Sequence, residues 1–126
     1  LEALESVKQA GATVSVLEYA VPSYTGLVYP TKKYYPTWLM PEDHPAVVAG
    51  VRAAEEALER KPAVGKWGFS TNGIATCGIF GVPTIGFGPS DEIWAHTPED
   101  QCPVDDLTRA ARFYAAFPRL YLETAR

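Results

Sequence analysis

The segment from residue 21 to 41 constrains the fold more than any other feature of this 126-residue sequence. It contains Pro22, Pro30, Pro36 and Pro41. Proline lacks a backbone N–H and fixes φ, so neither a long helix nor an interior strand can cross such a segment. The chain is therefore expected to divide into residues 1–20, a crossing segment 21–41, and a body, residues 42–126.

Aromatic side chains fill the crossing segment. They are Tyr24, Tyr29, Tyr34, Tyr35 and Trp38. A flexible linker is rich in glycine and serine instead, so this segment is expected to lie on a surface. Packing against a neighbouring domain is the favoured interpretation, and lining a substrate cleft is the alternative.

Residues 1–10 have the spacing of a helix that ends at Gly11, and residues 12–19 alternate like a strand, with Val14, Val16 and Tyr19 as strand positions. A helix followed by a strand is typical of the end of an α+β unit. Because Leu1 is not Met and lies inside the predicted helix, we expect a fragment of a longer polypeptide.

A second helix is predicted from Asp43, a capping residue, with Pro45 in its first turn and Pro62 beyond its end. Glu56 and Arg60 are expected to pair at i, i+4. The predicted apolar stripe consists of Val47, Val51, Ala54 and Leu58.

Strands are predicted at residues 63–70 and 82–88, with a short helix from about Gly73 between them. This order favours a parallel crossover unit. The loop that carries His96 would then leave the carboxyl end of a strand, where ligands gather in open α/β sheets.

The last helix is predicted to start near Pro103, with Asp105 and Asp106 in its first turn, and to bend or end at Pro118. Its predicted inward face is Leu107, Ala110, Ala111, Tyr114 and Phe117.

Composition limits the classes of partner and compartment. The net charge is −4 and the 11 Lys and Arg are scattered, which argues against nucleic acid and anionic membranes as partners. No apolar run approaches the roughly 20 residues that span a bilayer, and no signal peptide is visible. Cys77 and Cys102 lack metal or redox spacing, so we expect reduced thiols and a cytoplasmic protein.

The residues alone leave the role of His96 open. A zinc site needs three or four protein ligands, and the other histidine, His44, precedes Pro45 where capping or solvent contact is its ordinary role. Either His96 is not a ligand, or its partners lie elsewhere.

Residues 86–90, GFGPS, do not continue into a phosphate-binding loop. Gly86 and Gly88 are instead expected to allow a close backbone approach or a tight turn. The hydroxyl residues Ser70, Ser90 and Thr97 lack the context of a hydrolase nucleophile.

The segment from Phe69 to Phe117, with GVPTIGFGP, AHTPED and VDDLTRAARFY, resembles the C-terminal end of the zinc metallopeptidase superfamily of acetylornithine deacetylase, succinyl-diaminopimelate desuccinylase and aminoacylase. DHPAVVAGVRAAEEAL and KWGFSTNG look closest to the branch labelled selenium-metabolism hydrolase. Residues 42–122 carry the resemblance well, and residues 1–41 carry it loosely.

The resemblance implies an α/β fold: the C-terminal part of a zinc-peptidase-like α/β sandwich, preceded by the end of a ferredoxin-like lid, or dimerisation, domain over residues 1–20. The family's H-x-D strand, bridging aspartate and Glu-Glu pair have no counterpart here. Catalytic residues are therefore not expected in this chain, which would need the missing N-terminal half of the catalytic domain as its partner. A homodimer is a further expectation.

By the same resemblance, His96 is the last metal ligand of a complete site that holds two zinc ions, with other divalent metals as alternatives. Ser70, Thr71, Asn72, Gly86 and Gly88 are the candidates for holding substrate. Where the desuccinylases have Ser-Asp-Gly-Arg, this chain has Thr71-Asn72-Gly73-Ile74, so the arginine that would grip a substrate carboxylate is absent.

The resulting prediction is the C-terminal portion of a zinc-dependent amidohydrolase that cleaves an amide bond of an N-acyl amino acid or small peptide. The complete enzyme would use a metal-activated water. The alternative is a non-catalytic binding module that uses the aromatic segment 24–38 as its interface.

Overall fold

The computed structural model describes residues 4–126, which form two compact units, one ending at Pro36 and one running from Thr37 to Arg126. The border between the units lies within the predicted crossing segment. Residues 1–3 of the predicted first helix lie outside the described residues.

The first unit contains one short helix, α1 (Glu5–Gln9), and a two-stranded antiparallel sheet, β1 (Glu18–Tyr19) and β2 (Thr31–Lys32). Gly11 follows the helix at φ 62°, which confirms the predicted stop, because glycine enters the left-handed region without steric cost. The predicted strand 12–19 is mostly wrong, since only its last two residues pair with another strand.

Two long helices, α2 (Pro45–Leu58) and α3 (Val104–Thr124), form the core of the second unit. His44 caps α2 through Nδ1, which accepts a hydrogen bond from the Ala46 N–H at 3.1 Å. The predicted capping role of Asp43 is therefore wrong, and the ordinary role considered for His44 is confirmed. Glu59 ends α2 in the left-handed conformation.

Small side chains on α2 allow α3 to pack closely. The buried cluster is Ala49, Ala53, Ala54, Ala57, Phe113 and Leu120. Of the stripe predicted for α2, Val47 and Ala54 are buried, whereas Val51 and Leu58 are half-buried. The helix α2 therefore packs against α3 mainly through its alanines and less through its larger apolar side chains.

The predicted inward face of α3 is correct in part, because Ala110 is buried and Phe117 packs half-buried against the core cluster. Leu107, Ala111 and Tyr114 are exposed, while Phe113 and Leu120 are buried. Pro118 lies inside the helix, which continues for six residues beyond it, to Thr124. Interior proline costs about 3 kcal/mol, so packing of the last turns against α2 must outweigh that penalty.

Exposed ion pairs join the two helices. Arg119 Nη2 lies 3.0 Å from Glu56 Oε2, so the predicted Glu56–Arg60 pair is wrong because a residue of α3 takes the carboxylate. Arg119 also contacts Glu123 at 3.2 Å, and this hydrogen bond holds the pKa of the Glu123 carboxyl below its ordinary value.

Between α2 and α3 lie a π-helical segment, Ile74–Ile79, and one 3₁₀ turn, Glu92–Trp94. The first confirms the short helix predicted from about Gly73. Neither 63–70 nor 82–88 forms a strand in the part of the chain that the structure describes. The two strand predictions are wrong here, and the zinc-peptidase-like sandwich stays a prediction.

Candidate functional site

His96 lies in a tight loop after the 3₁₀ turn. Asp91 Oδ1 accepts from the Ile93 N–H at 3.1 Å and starts that turn. Thr97 closes the loop, since both its N–H and its hydroxyl donate to the Trp94 carbonyl, at 3.2 and 2.8 Å. The backbone on both sides of His96 is therefore held by hydrogen bonds.

The backbone of His96 itself is left-handed, with φ 63°, and its side chain is exposed. Non-glycine residues adopt this conformation uncommonly and at a cost of roughly 1–2 kcal/mol. Within residues 4–126 the imidazole forms no hydrogen bond or ion pair. The ring is thus held out from the loop with both nitrogens available.

The described structure does not surround His96 with a complete set of metal ligands. Over residues 4–126, no group of three or more His, Cys, Asp or Glu is arranged to hold a metal ion. His44 cannot serve through Nδ1 while that atom caps α2. The described residues therefore do not supply the three or four ligands of a complete zinc site.

The polar run at residues 70–72 has divided roles. Thr71 Oγ1 accepts from the Gly73 N–H at 3.1 Å, and the Asn72 carbonyl accepts from the Ala75 N–H at 3.0 Å, so both start the π-helical segment. Ser70 and the amide side chain of Asn72 are exposed and make no hydrogen bond among the described residues. These two side chains are fully free for a ligand, and Thr71 keeps only its hydroxyl hydrogen to donate.

The two candidate glycines differ. An added Cβ at Gly86 would overlap the indole ring of Trp67, so the close approach expected there is made by the chain's own side chain. A Cβ at Gly88 would meet no atom within 4 Å. Gly88 is therefore the more accessible of the pair.

Sequence reasoning missed a depression of about 370 Å³ in the second unit. Its walls come from the end of α2, from residues 87–90, and from the first turns of α3. Two arginines, Arg60 and Arg109, contribute to it. They are distant in sequence, and only the packing of α2 on α3 brings them to one surface.

Comparison with known proteins yields relatives but no function. The chain is 47% identical over 124 residues to a protein named uncharacterized protein YgeY from Escherichia coli strain K12, and equally to that of strain O157:H7. The match covers 98% of this chain but only 31% of each relative, so the chain spans about a third of their length. No family model and no solved structure matches.

One structural criterion bears on membranes. None of the helices in residues 4–126 combines the length and the apolar character that crossing a bilayer demands.

Proposed function

We propose that this chain is the C-terminal portion of a zinc-dependent amidohydrolase that cleaves an amide bond of an N-acyl amino acid or small peptide, and that it is inactive alone. The observation that carries the proposal is the left-handed backbone of His96, whose ring is exposed while its loop is held on both sides. Strained residues of this kind concentrate at functional sites. The resemblance of residues 69–117 supplies the class of reaction.

The described residues do not by themselves fit a zinc ion, because zinc takes three or four protein ligands and His96 is one. The remaining ligands and the general base would come from a longer parent. The relatives, of which the match covers 31%, are long enough to contain them. A complete site would hold two zinc ions or other divalent metals, in a cytoplasmic and homodimeric parent.

Within such a parent, this chain would orient one ligand and hold part of the substrate. The exposed amide of Asn72 can donate to a carboxylate or amide oxygen, and the Ser70 hydroxyl can do the same. Thr71 would hold the local backbone through its hydroxyl oxygen, which accepts from the Gly73 N–H, while its O–H can still donate to substrate.

The alternative, a non-catalytic interaction module, is favoured by the aromatic segment 24–38. Tyr24 and Tyr29 are 103% and 78% exposed, and Tyr34 and Tyr35 are exposed as well. Tyrosine is enriched at protein interfaces, so several exposed tyrosines in one segment favour an interaction surface. Trp38 is not part of that surface, because its ring packs on Gly73 and its Nε1–H donates to the Thr84 carbonyl at 3.0 Å.

Replacement of His96 in the longer parent separates the two functions. His96→Ala should lower the rate of N-acyl amino acid hydrolysis by several orders of magnitude and remove about one zinc per subunit, while the fold survives. Initial rates, elemental analysis and circular dichroism measure the three effects. His44→Ala is the matched control, since it removes a helix cap at a cost of about 1 kcal/mol and should retain the metal.

Full zinc occupancy and a near-normal rate in His96→Ala would exclude His96 from the site. A parent without metal-dependent hydrolysis that loses a protein partner on Tyr24→Ala and Tyr29→Ala would establish the interaction module instead.

A further inference from the structure

The depression at the end of the helix pair combines charge and apolar surface in one concavity. Leu58 and Phe87 contribute apolar surface, and Arg60, Asp106 and Arg109 contribute charge. Its volume of about 370 Å³ lies within the range of pockets that hold small molecules, roughly 300–1,000 Å³.

The charges of this depression sum to a single positive charge. Arg109 Nη1 lies 2.9 Å from Asp106 Oδ1, so one arginine is partly neutralised. Arg60 makes no ion pair with any residue of the described chain. Arg60 is exposed, and guanidinium groups present planar sets of N–H donors that match a carboxylate, so Arg60 can bind one.

Phe87, Gly88 and Ser90 also line this depression. No atom lies near the missing Cβ of Gly88, and its N–H makes no hydrogen bond within residues 4–126. Ser90 is held in the left-handed conformation, with φ 69°, and its hydroxyl donates to the Gln101 carbonyl at 2.7 Å. The Ser90 hydrogen bond therefore fixes one end of the segment 87–90, and the Gly88 N–H lies two residues away from it.

We infer that this depression binds a small organic carboxylate that carries an apolar group. The carboxylate lies between Arg60 and Arg109, and the apolar group contacts Leu58 and Phe87. Asp106 competes with the ligand for Arg109. The site requires neither zinc nor residues outside this chain, so it stands independently of the proposed hydrolase.

Binding to the 126-residue chain without metal tests the site. The probes are 4-methylpentanoate and its neutral isostere 4-methylpentanamide, titrated while amide chemical shifts are recorded. The carboxylate should shift the resonances of residues 87–90, and the amide should not. Arg60→Gln and Arg109→Gln should each weaken binding about tenfold, the scale of one charge-assisted hydrogen bond.

Arg112→Gln is the matched control, because Arg112 is exposed on α3 and does not line the depression. It should leave the affinity unchanged. Asp106→Asn should tighten binding about threefold, since it frees Arg109 from a competing carboxylate. Circular dichroism verifies that each variant is folded.

Three results would overturn the inference. Equal shifts with the neutral amide would show that the arginines play no part. If Arg112→Gln weakened binding of the carboxylate as much as Arg60→Gln, the net charge of the protein alone would explain the effect. Inorganic phosphate that binds the same residues as tightly as the carboxylate would remove the role of Leu58 and Phe87.

Discussion

Three residues other than glycine adopt the left-handed conformation, Glu59, Ser90 and His96, in the part of the chain that the structure describes. Glu59 ends α2, and Ser90 gains a hydrogen bond to Gln101. His96 gains no side-chain contact of this kind. Its positive φ fits the third position of the turn from Trp94 to Thr97, where glycine or asparagine is the usual residue. A histidine with an exposed ring at that position is uncommon, which is why we assign it a functional role.

At Asn72 the backbone and the side chain have separate tasks. Asn72→Ala keeps the carbonyl that starts the π-helical segment and removes only the exposed amide. In the full-length parent we expect a raised KM and a change in unfolding free energy within about 0.5 kcal/mol, as for exposed sites generally. Steady-state kinetics and thermal unfolding measure the two quantities.

Thr71→Val provides the contrast, because it removes the acceptor for the Gly73 N–H and should lower stability more than it changes KM. If Asn72→Ala instead lowers the melting temperature by several degrees at unchanged KM, Asn72 is a turn residue only.

Among the structural elements, two tryptophan–glycine contacts position the loops of the second unit. The Trp38 ring lies on Gly73, at the start of the π-helical segment, and the Trp67 ring lies on Gly86. Neither glycine has a positive φ. Both are therefore needed for the space that they leave and not for backbone freedom.

Gly73→Ala should reduce the unfolding free energy by about 1–3 kcal/mol, because the new methyl group overlaps a rigid indole ring in a buried position. Denaturant unfolding of the chain measures it. Gly65→Ala is the matched control, since no atom lies within 4 Å of its added Cβ and its φ is not positive. A Gly73→Ala variant as stable as the control would mean that Trp38 does not pack tightly there.

For the whole molecule, the scarcity of ligands around His96 predicts weak metal binding. One imidazole cannot complete a tetrahedral shell, so the chain alone should bind zinc with a dissociation constant well above 1 μM and show no hydrolysis. Calorimetric titration with zinc and an assay with N-acyl amino acids check both. Stoichiometric sub-micromolar binding to the monomeric chain would contradict the division of the site between this chain and a longer parent.

In the second unit, apolar side chains remain exposed in the two segments that were predicted to form strands and did not. Val64, Trp67 and Phe69 lie in one predicted strand and Val82 in the other, and all are at least 45% exposed. A strand needs a neighbour for its backbone hydrogen bonds as well as a suitable pattern of side chains. The sequence shows whether the side-chain pattern suits a strand, but it does not show whether a neighbouring strand is available.

The sequence by itself determined the local features: the stop of α1 at Gly11, the helix at residues 45–58 with proline in its first turn, the short helix after Gly73, and the helix after Pro103. Each depends on neighbours within a few residues, through capping, proline geometry and side-chain periodicity. The resemblance singled out His96 from a motif, but its left-handed backbone was visible only in the structure.

Only the tertiary structure decided which residues of each long helix are buried most deeply, which carboxylate pairs with Arg119, and that α3 continues through Pro118. Each of these outcomes follows from the packing of α2 against α3, whose residues are some 60 positions apart in the chain, like Glu56 and Arg119. Burial and ion pairing stabilise contacts between residues at any separation in the sequence. Local helix propensity is weaker, and such tertiary contacts override it. The meeting of Arg60 and Arg109 at one depression has the same origin.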